Sequence, residues 1–441
     1  MQIAFIGAGY VGLVTGLMMA HIGHKVTCLD TDEAKINSLL QNKSPIYEDG
    51  IDEYLSKYSG NKQIEFSNNY TDLSEAEIIF LAVGTPSITS GKNKGGADLT
   101  YVHQAVKEAA KFAKEGAIFV LKSTVPPGSS EQVNNILQEI APEKNFFVAA
   151  NPEFLREGSA IKDFLEPDRI VIGANKQLVA DKMAQLYAPL VKLLNRDVPI
   201  LHTDLNTAEM IKYASNSFLA NKIAFINEMA DLCENIGADS DKLAIGVGLD
   251  HRIGKDFLKT GPGFGGSCFP KDILALQYLF QQNNEPCPIL DSIISTNNKR
   301  PGRMISKIKS ALGGSVKNKK ITIFGVSYKA GTDDIRSSPA IEIIKLLHAE
   351  GAIVTCYDPQ ALANFAAQYP NISADSDAYA ASKEAAAIVI LTEWPEFTKL
   401  DYSQIYQNMA DPILIDLRNI LSSNEMDSIG FDYHRVGKNT N

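Results

Sequence analysis

Three things are scarce in this chain, and each scarcity removes a class of protein. Cysteine is the first: the five among 441 residues, at positions 28, 233, 268, 287 and 356, are odd in number and widely spaced. That pattern excludes a disulfide framework, shows no zinc-ligand spacing, and implies reduced thiols in a cytosolic compartment. The seven histidines are equally dispersed; His21 and His24, just before an apolar run, read as ordinary turn residues, and no metal is expected. Basic charge is the second: 42 Lys and Arg against 52 Asp and Glu leave a net charge of -10 and no footprint for a nucleic-acid backbone. Long apolar runs are the third. Ile3 to Gly23 alone carries no charged residue over a length near that of a membrane span. Three of its glycines sit at motif spacing and no basic leader precedes it, so neither a span nor a signal peptide is expected. The protein is expected in the cytoplasm, without a membrane partner.

What is present is the composition of an ordinary globular chain, 45% hydrophobic and 21% charged, long enough for two or three domains with cores of their own. Its most pointed stretch is Gly261-Pro-Gly-Phe-Gly-Gly-Ser-Cys-Phe-Pro-Lys-Asp272. Glycine permits backbone conformations and close approaches that a side chain blocks. The glycines stop before Cys268, after which Pro270 and Asp272 read as a helix first turn. A thiol there meets unpaired N–H groups and the positive end of the helix dipole, both of which favour the nucleophilic thiolate. A lone cysteine after a turn is more often simply buried; here the flexible approach, the helix start, Lys271 and Asp272 coincide.

At the amino terminus, Gln2 to Gly7 is a short apolar strand running into Gly7-Ala8-Gly9-Tyr10-Val11-Gly12 and a helix-like segment to His21. Gly7 permits the tight turn, Gly9 the approach of a pyrophosphate, and Gly12 close packing of helix on strand. The second strand, Lys25 to Leu29, ends in Asp30, whose carboxylate can bind both ribose hydroxyls and repels a 2′-phosphate. NAD is therefore favoured over NADP, with FAD still open on these residues. Further strands are read at Ile78 to Val83, Ile118 to Lys122, Phe146 to Ala150 and Arg169 to Ile172, with helices at Tyr101 to Lys114 and Ser129 to Ile140. Continuous apolar strands alternating with helices predict a parallel sheet covered on both faces, whose ligands bind beyond the carboxyl ends. Three polar loops leave those ends, 84–86, 123–128 and 151–158.

From Asp204 to Ile236 neither proline nor glycine interrupts the helical spacing of apolar residues, a run of roughly 30 residues and about 45 Å. Lys212 and Asn216, four apart on one face, can donate to a developing oxyanion, although a solvated face is the commoner use of a lysine. Helix ends near Ser310, and Gly313-Gly314-Ser315 reads as a linker. A second α/β unit follows. Val354-Thr355-Cys356-Tyr357-Asp358 matches Val26-Thr27-Cys28-Leu29-Asp30, while Gly325-Val326-Ser327-Tyr328-Lys329-Ala330-Gly331 lacks the dinucleotide spacing. A nucleotide-like site adapted to something other than NAD and a merely structural duplicate are both consistent with that.

The glycine fingerprint, residues 151–158, Ala208 to Asn216, Phe264 to Asp272 and Gly325 to Ser338 together resemble the UDP-glucose and GDP-mannose dehydrogenase family along nearly the whole chain. Gly158-Ser159-Ala160 and Pro167-Asp168-Arg169 resemble its UDP-glucose branch, and Pro127 and Thr260 are small departures. The resemblance implies an α/β fold of two Rossmann-like, doubly wound parallel-sheet domains joined by a long central helix. Residues 1–203 would bind NAD, 204–312 would form a helical dimerisation domain carrying the cysteine loop, and 313–441 would bind the UDP-sugar. It also implies a homodimer and a four-electron oxidation of UDP-glucose to UDP-glucuronate with two NAD, by way of a Cys268 thiohemiacetal and thioester. The same chemistry on GDP-mannose or a UDP-N-acetylhexosamine, and an NAD-responsive binding protein without turnover, are the alternatives.

By the same resemblance, Cys268 is the nucleophile; Lys212, Asn216 and Asp272 orient oxygen and water around it; Glu153 is the base for hydrolysis and Thr124 holds the water. Gly7, Gly9, Val11, Gly12, Asp30, Lys35, Thr85, Thr124, Glu157, Lys271 and Arg336 would contact NAD. Glu153, Phe154, Leu155, Arg156, Glu157, Lys212, Asn216, Phe257, Leu258, Lys259, Thr260, Gly261, Gly265 and Lys329 would hold the UDP-sugar. Arg252 would reach it from a neighbouring subunit, with Arg418 a weaker contact.

Overall fold

The computed structural model describes residues 1–194 and 196–438. The chain forms two compact units: Met1–Ser215 with Leu274–Glu285, and Asn216–Ile273 with the chain from Pro286 onward. The central helix, Leu205–Ile236, runs from the first into the second, and the helix Phe269–Gln282 runs from the second into the first.

The first unit is built on β1 (Gln2–Ile6), β2 (Lys25–Leu29), β3 (Ile64–Ser67), β4 (Ile78–Leu81), β5 (Ile118–Leu121), β6 (Phe147–Ala150), β7 (Ile170–Gly173) and β8 (Ile200–Thr203). They form one sheet in the order β3-β2-β1-β4-β5-β6-β7-β8. Successive side chains of a strand point to opposite faces, and in β1 Ile3 and Phe5 enter one core cluster while Ala4 and Ile6 enter another. Both faces are thus buried, and each fully buried Ile or Phe contributes about 1.5–3 kcal/mol. The uncharged run from Ile3 is β1, its turn and the helix Tyr10–His21, buried continuously from Gly12 to Ala20. Among the described residues no helix is long and apolar enough to cross a membrane.

The sheet is parallel from β3 to β6 and departs from expectation at β7. β6 and β7 are antiparallel and meet at one pair, Ala150 with Gly173. Only a six-residue helix, Ala160–Leu165, lies between them. β7 therefore flanks the segment leaving β6, and Asn151 Nδ2 donates to Val171 O at 2.8 Å. Apolar runs carry no mark of strand direction, so the reversal was not readable from them. His24 also differs from the turn residue expected: it is buried, with Nε2 2.9 Å from Leu186 O, and burial holds its pKa below the ordinary value.

The second unit carries β9 (Lys320–Phe324), β10 (Ile353–Tyr357), β11 (Ser373–Ala374), β12 (Ala387–Ile390), β13 (Ile413–Asp416) and β14 (Asp432–Arg435). Their order is β11-β10-β9-β12-β13-β14, all neighbours parallel. In β12, Ala387 and Val389 face one core cluster and Ile388 and Ile390 the other. The central helix and Pro288–Ala311 bring polar side chains to the loop that ends at Cys268.

Candidate active site

In the first unit the fingerprint turn leaves β1 with Gly7 at φ +103°, a left-handed conformation that glycine alone adopts without strain. A Cβ on Gly12 would stand 1.8 Å from the Gly7 carbonyl oxygen, so only glycine lets the helix pack this close. At Gly9 a Cβ would meet nothing within 4 Å. The turn thus opens at one glycine, before a helix whose first N–H groups have no side-chain cap. That is a cradle for a diphosphate. Asp30, at the end of β2, accepts from Ala8 N at 2.8 Å, Lys35 Nζ at 2.8 Å and Asp32 N at 3.0 Å. Burial works against its charge, but the hydrogen bonds from Lys35 and from the Asp32 and Ala8 amides outweigh it and hold the carboxyl below its ordinary value. These residues fit NAD: an open glycine for the pyrophosphate and an ionised carboxylate for the ribose.

Beyond the carboxyl ends of β4 and β5, Thr85 Oγ1 donates to Thr124 O at 2.8 Å, and both threonines are buried. Glu209 of the central helix accepts from the N–H groups of Gly128 and Ser130, each at 2.8 Å, and so ties that helix to the Thr124 loop. Beyond β6, Glu153 and Lys212 form a buried ion pair at 2.8 Å, and Leu155 N donates to the same carboxylate at 2.5 Å. Phe154 lies between cations, its ring centroid 3.5 Å from the Arg169 guanidinium and 5.4 Å from Lys212 Nζ. Arg156 pairs at the surface with Asp163. Glu157 follows it in the loop, and Val11 packs against the core beneath the fingerprint helix.

In the second unit Cys268 immediately precedes the helix Phe269–Gln282, and its carbonyl accepts from Asp272 N at 2.9 Å. Its Sγ lies 3.5 Å from Ser267 Oγ. Asp272 is completely buried, yet its two oxygens meet Lys271 Nζ at 2.5 Å and Asn216 Nδ2 at 2.6 Å. A buried carboxylate needs such partners, since removing one leaves a charge uncompensated at a cost of about 3–5 kcal/mol.

The approach to Cys268 is held on several sides. Gly261 donates through its N–H to Asn227 Oδ1 and accepts Arg300 Nε, both at 2.9 Å. Asn297 Oδ1 accepts from Phe264 N at 2.9 Å, and Gly266 N donates to Arg336 O at 3.1 Å. A Cβ on Gly265 would fall 2.2 Å from Ser337 O, and one on Gly261 would fall 3.2 Å from Arg418 Nη1. Gly261, Gly265, Arg418 and Arg336 are therefore brought together, with Lys329 over the Tyr328 ring at 5.8 Å. Thr260 is buried beside Asn419, its Oγ1 3.3 Å from that amide. Phe257 holds a left-handed φ of +64° and packs near Phe269. Leu258 is buried in this unit and Lys259 is exposed. Arg252 stands apart: its side chain is 78% exposed and bonded to Asp250.

Asn227, Asn297, Arg300 and Glu209 were not singled out from the sequence. Each is a polar residue inside a long helix, a pattern that reads equally as a solvated face. The second glycine turn also differs from the first. Asp358 accepts from Val326 N, Ser327 N and Ser327 Oγ at 2.8, 3.0 and 2.9 Å, and from the Trp394 indole at 3.3 Å. Its own carboxylate takes up the N–H groups that a diphosphate would need.

Three models of the UDP-glucose/GDP-mannose dehydrogenase family match this chain: the NAD binding domain over residues 1–191, the central domain over 206–299 and the UDP binding domain over 322–423. The chain belongs to the UDP-glucose/GDP-mannose dehydrogenase family. Among its relatives in the family, a Rickettsia typhi protein named UDP-glucose 6-dehydrogenase is 50% identical over 99% of both chains. A Rhizobium meliloti protein of the same name is 43% identical over 99% of this chain and all of the other. A UDP-glucose dehydrogenase structure from Pyrobaculum islandicum superposes with a TM-score of 0.89 at 33% identity, covering 99% of this chain and 98% of that one. As a member of this dehydrogenase family the chain is an NAD-dependent oxidoreductase, and the fingerprint turn lies within its NAD binding domain.

Proposed function

We propose that this chain oxidises UDP-glucose to UDP-glucuronate in two successive two-electron steps, through a covalent adduct on Cys268. The observation that carries the covalent route is the thiol at the amino end of the helix Phe269–Gln282, with Asp272 one turn on and bonded to Asn216 and Lys271. Simple binding or a single alcohol oxidation needs no nucleophile there. The choice of sugar nucleotide rests on the names of relatives that are 49–50% identical over 99% of this chain.

Bound at the fingerprint turn, NAD supplies the hydride acceptor for each step. The remaining chemistry falls to the protein. In the first step the sugar 6-hydroxyl gives its proton to solvent and its carbon gives up hydride, leaving the aldehyde, while Lys212 and Asn216 donate to the oxygen as charge develops on it. The Cys268 thiolate adds to the aldehyde carbon, forming a C–S bond and a thiohemiacetal; loss of its hydrogen as hydride leaves a thioester. Glu153, ionised, takes a proton from the water held by Thr124, and that water displaces the thiolate to give the carboxylate.

In this reading the glycine fingerprint, Asp30, Lys35, Thr85 and Thr124 hold the cofactor with Glu157, Lys271 and Arg336. Residues 153–157, the loop 257–265, Lys329 and Arg418 hold the sugar nucleotide. Residues 1–203, 204–312 and 313–441 then divide cofactor binding, dimerisation and UDP binding. A homodimer is supported by Phe218, Phe225 and Leu232, spaced by sevens along the central helix and 66%, 45% and 50% exposed. Arg252, exposed on the same unit, would serve the partner's site. That none of the five cysteines is in a disulfide supports a reducing cytoplasmic location.

The deciding experiment is the number of NADH formed per UDP-glucose consumed, run to completion in excess NAD, with the product identified by mass. Two NADH and UDP-glucuronate are expected. One NADH with an accumulating aldehyde overturns the thioester route, and turnover only with another sugar nucleotide overturns the substrate assignment.

A further inference from the structure

Lys122 follows β5 and is buried in the first unit at 6% exposure. Its ammonium donates to Asn151 Oδ1 at 3.0 Å and lies 3.5 Å from the Tyr187 hydroxyl, which itself donates to that Asn151 oxygen at 2.5 Å. Asn151 is fixed in turn by its bond to Val171 O. No ion pair joins Lys122 to a carboxylate among the described residues. A buried ammonium resting on neutral acceptors costs stability that an apolar side chain of the same length would not. Packing alone gives no reason for a lysine here.

The reason lies two residues beyond Asn151. Glu153 is buried, so desolvation alone would raise its pKa; the charge and hydrogen bond of Lys212, the Leu155 N–H and the charge of Lys122 together bring it below the ordinary value. Lys122 feels the converse. Burial brings it down to about 8, opposed by Glu153 and reinforced by Lys212. Two groups bond to this carboxylate, Lys212 from the central helix at 2.8 Å and the Leu155 amide of its own loop at 2.5 Å, while Lys122, at the end of β5, is buried beside them and held at 3.0 Å by Asn151, two residues before Glu153. Lys212 is also required to donate to the sugar oxygen. A carboxylate that relied on it alone would lose most of its stabilisation when that donation occurs, whereas the hydrogen bonds of Lys122 are made wholly within the protein.

We propose that Lys122 is a positioning residue for the hydrolytic step: anchored by Asn151 and Tyr187, its buried charge keeps Glu153 ionised while Lys212 serves the substrate. The inference rests on the reading of Glu153 as the base, and its test separates the two. Lys122→Met, Lys122→Gln, Lys122→Arg and Glu153→Gln are compared with the wild type for turnover against pH at saturating NAD and UDP-glucose, alongside unfolding midpoints. Removing a positive neighbour raises the pH at which Glu153 takes up its proton. Lys122→Met and Lys122→Gln are thus expected to show the acid limb of kcat at higher pH. The limb should move up by about one pH unit, a loss of about tenfold in turnover at any fixed pH well below its midpoint, the scale of one charge at short range. Arginine, which keeps the charge, restores the limb.

Glutamine keeps a donor for Asn151, so a merely structural lysine would be rescued by it, and it serves as the neutral variant where methionine does not fold. An acid limb unmoved in the folded neutral variant, with Glu153→Gln inactive, overturns the role of Lys122. Wild-type turnover in Glu153→Gln overturns the reading of Glu153 beneath it.

Discussion

Replacing Gly9 with alanine separates a glycine kept for the cofactor from one kept for the fold. Gly9 has φ -80° and ψ -167°, an extended conformation that alanine adopts without strain, and an added Cβ would meet no protein atom within 4 Å. The folded state loses nothing, while the unfolded chain loses freedom. The urea midpoint of the cofactor-free variant should therefore be unchanged or correspond to a gain of about 0.4–1 kcal/mol. Binding is another matter. The methyl would occupy the opening before the uncapped helix, where the pyrophosphate is read to lie, and displace it from the backbone N–H groups. Hydrogen bonds to a charged group contribute about 1.5–3 kcal/mol each. Losing one or part of a second weakens NAD by about 2–4 kcal/mol, or roughly 30-fold to 10³-fold in Kd. Calorimetric titration of NAD into the variant reads this directly. Gly12→Ala is the contrast: its Cβ would be 1.8 Å from a backbone oxygen, so stability and binding should fall together. Gly9→Ala binding NAD within about twofold of wild type would falsify the placement of the pyrophosphate, and a lowered midpoint would refute the stability argument.

Three further outcomes are expected. In Gly265→Ala the new Cβ would lie 2.2 Å from Ser337 O, and backbone meeting backbone must move by about an ångström. Three residues before Cys268, that shift should cost about 10²-fold in kcat, measured as NADH formation; activity close to wild type would mean the loop position is immaterial. Asp30→Ala removes the acceptor of Lys35 and leaves that ammonium free to meet a 2′-phosphate. The NADP-to-NAD ratio of kcat/KM should rise by about 10–10²-fold, and an unchanged ratio removes Asp30 from the ribose site. Cys268→Ser should lower steady-state NADH production by at least about 10²-fold, because an alkoxide forms far less readily than a thiolate at neutral pH. Wild-type rates in that variant sink the covalent mechanism.

Local chemistry determined much that was legible in the amino-acid order. The strand, turn and helix at the amino terminus, the uninterrupted helix Leu205–Ile236 and the helix start after Cys268 depend on residues within a few positions of one another. Glycine spacing, the absence of proline and a proline in a first turn act at that range. The short strands β3, β8, β11 and β14 were not readable, because two to four residues at or near a sheet edge carry too little alternation to stand out. Strand direction at β7 escaped for a related reason. A buried parallel strand and a buried antiparallel one present the same apolar side chains.

Asp30 and Asp358 mark the boundary most plainly. Both end the same kind of strand after nearly the same residues, and the sequence by itself determined that each stands beside a glycine turn. Only the tertiary structure decided their use. Asp30 accepts one turn amide and a lysine beside an open glycine, while Asp358 is enclosed by the turn amides, Ser327 and Trp394. Trp394 follows β12, 36 residues away in the chain. Lys122 was likewise visible only as the residue at a strand end, and its relation to Glu153, named as a base through the family resemblance, was not. Their coupling depends on which strands lie side by side and on how little water reaches them, since burial is what lets one charge govern another.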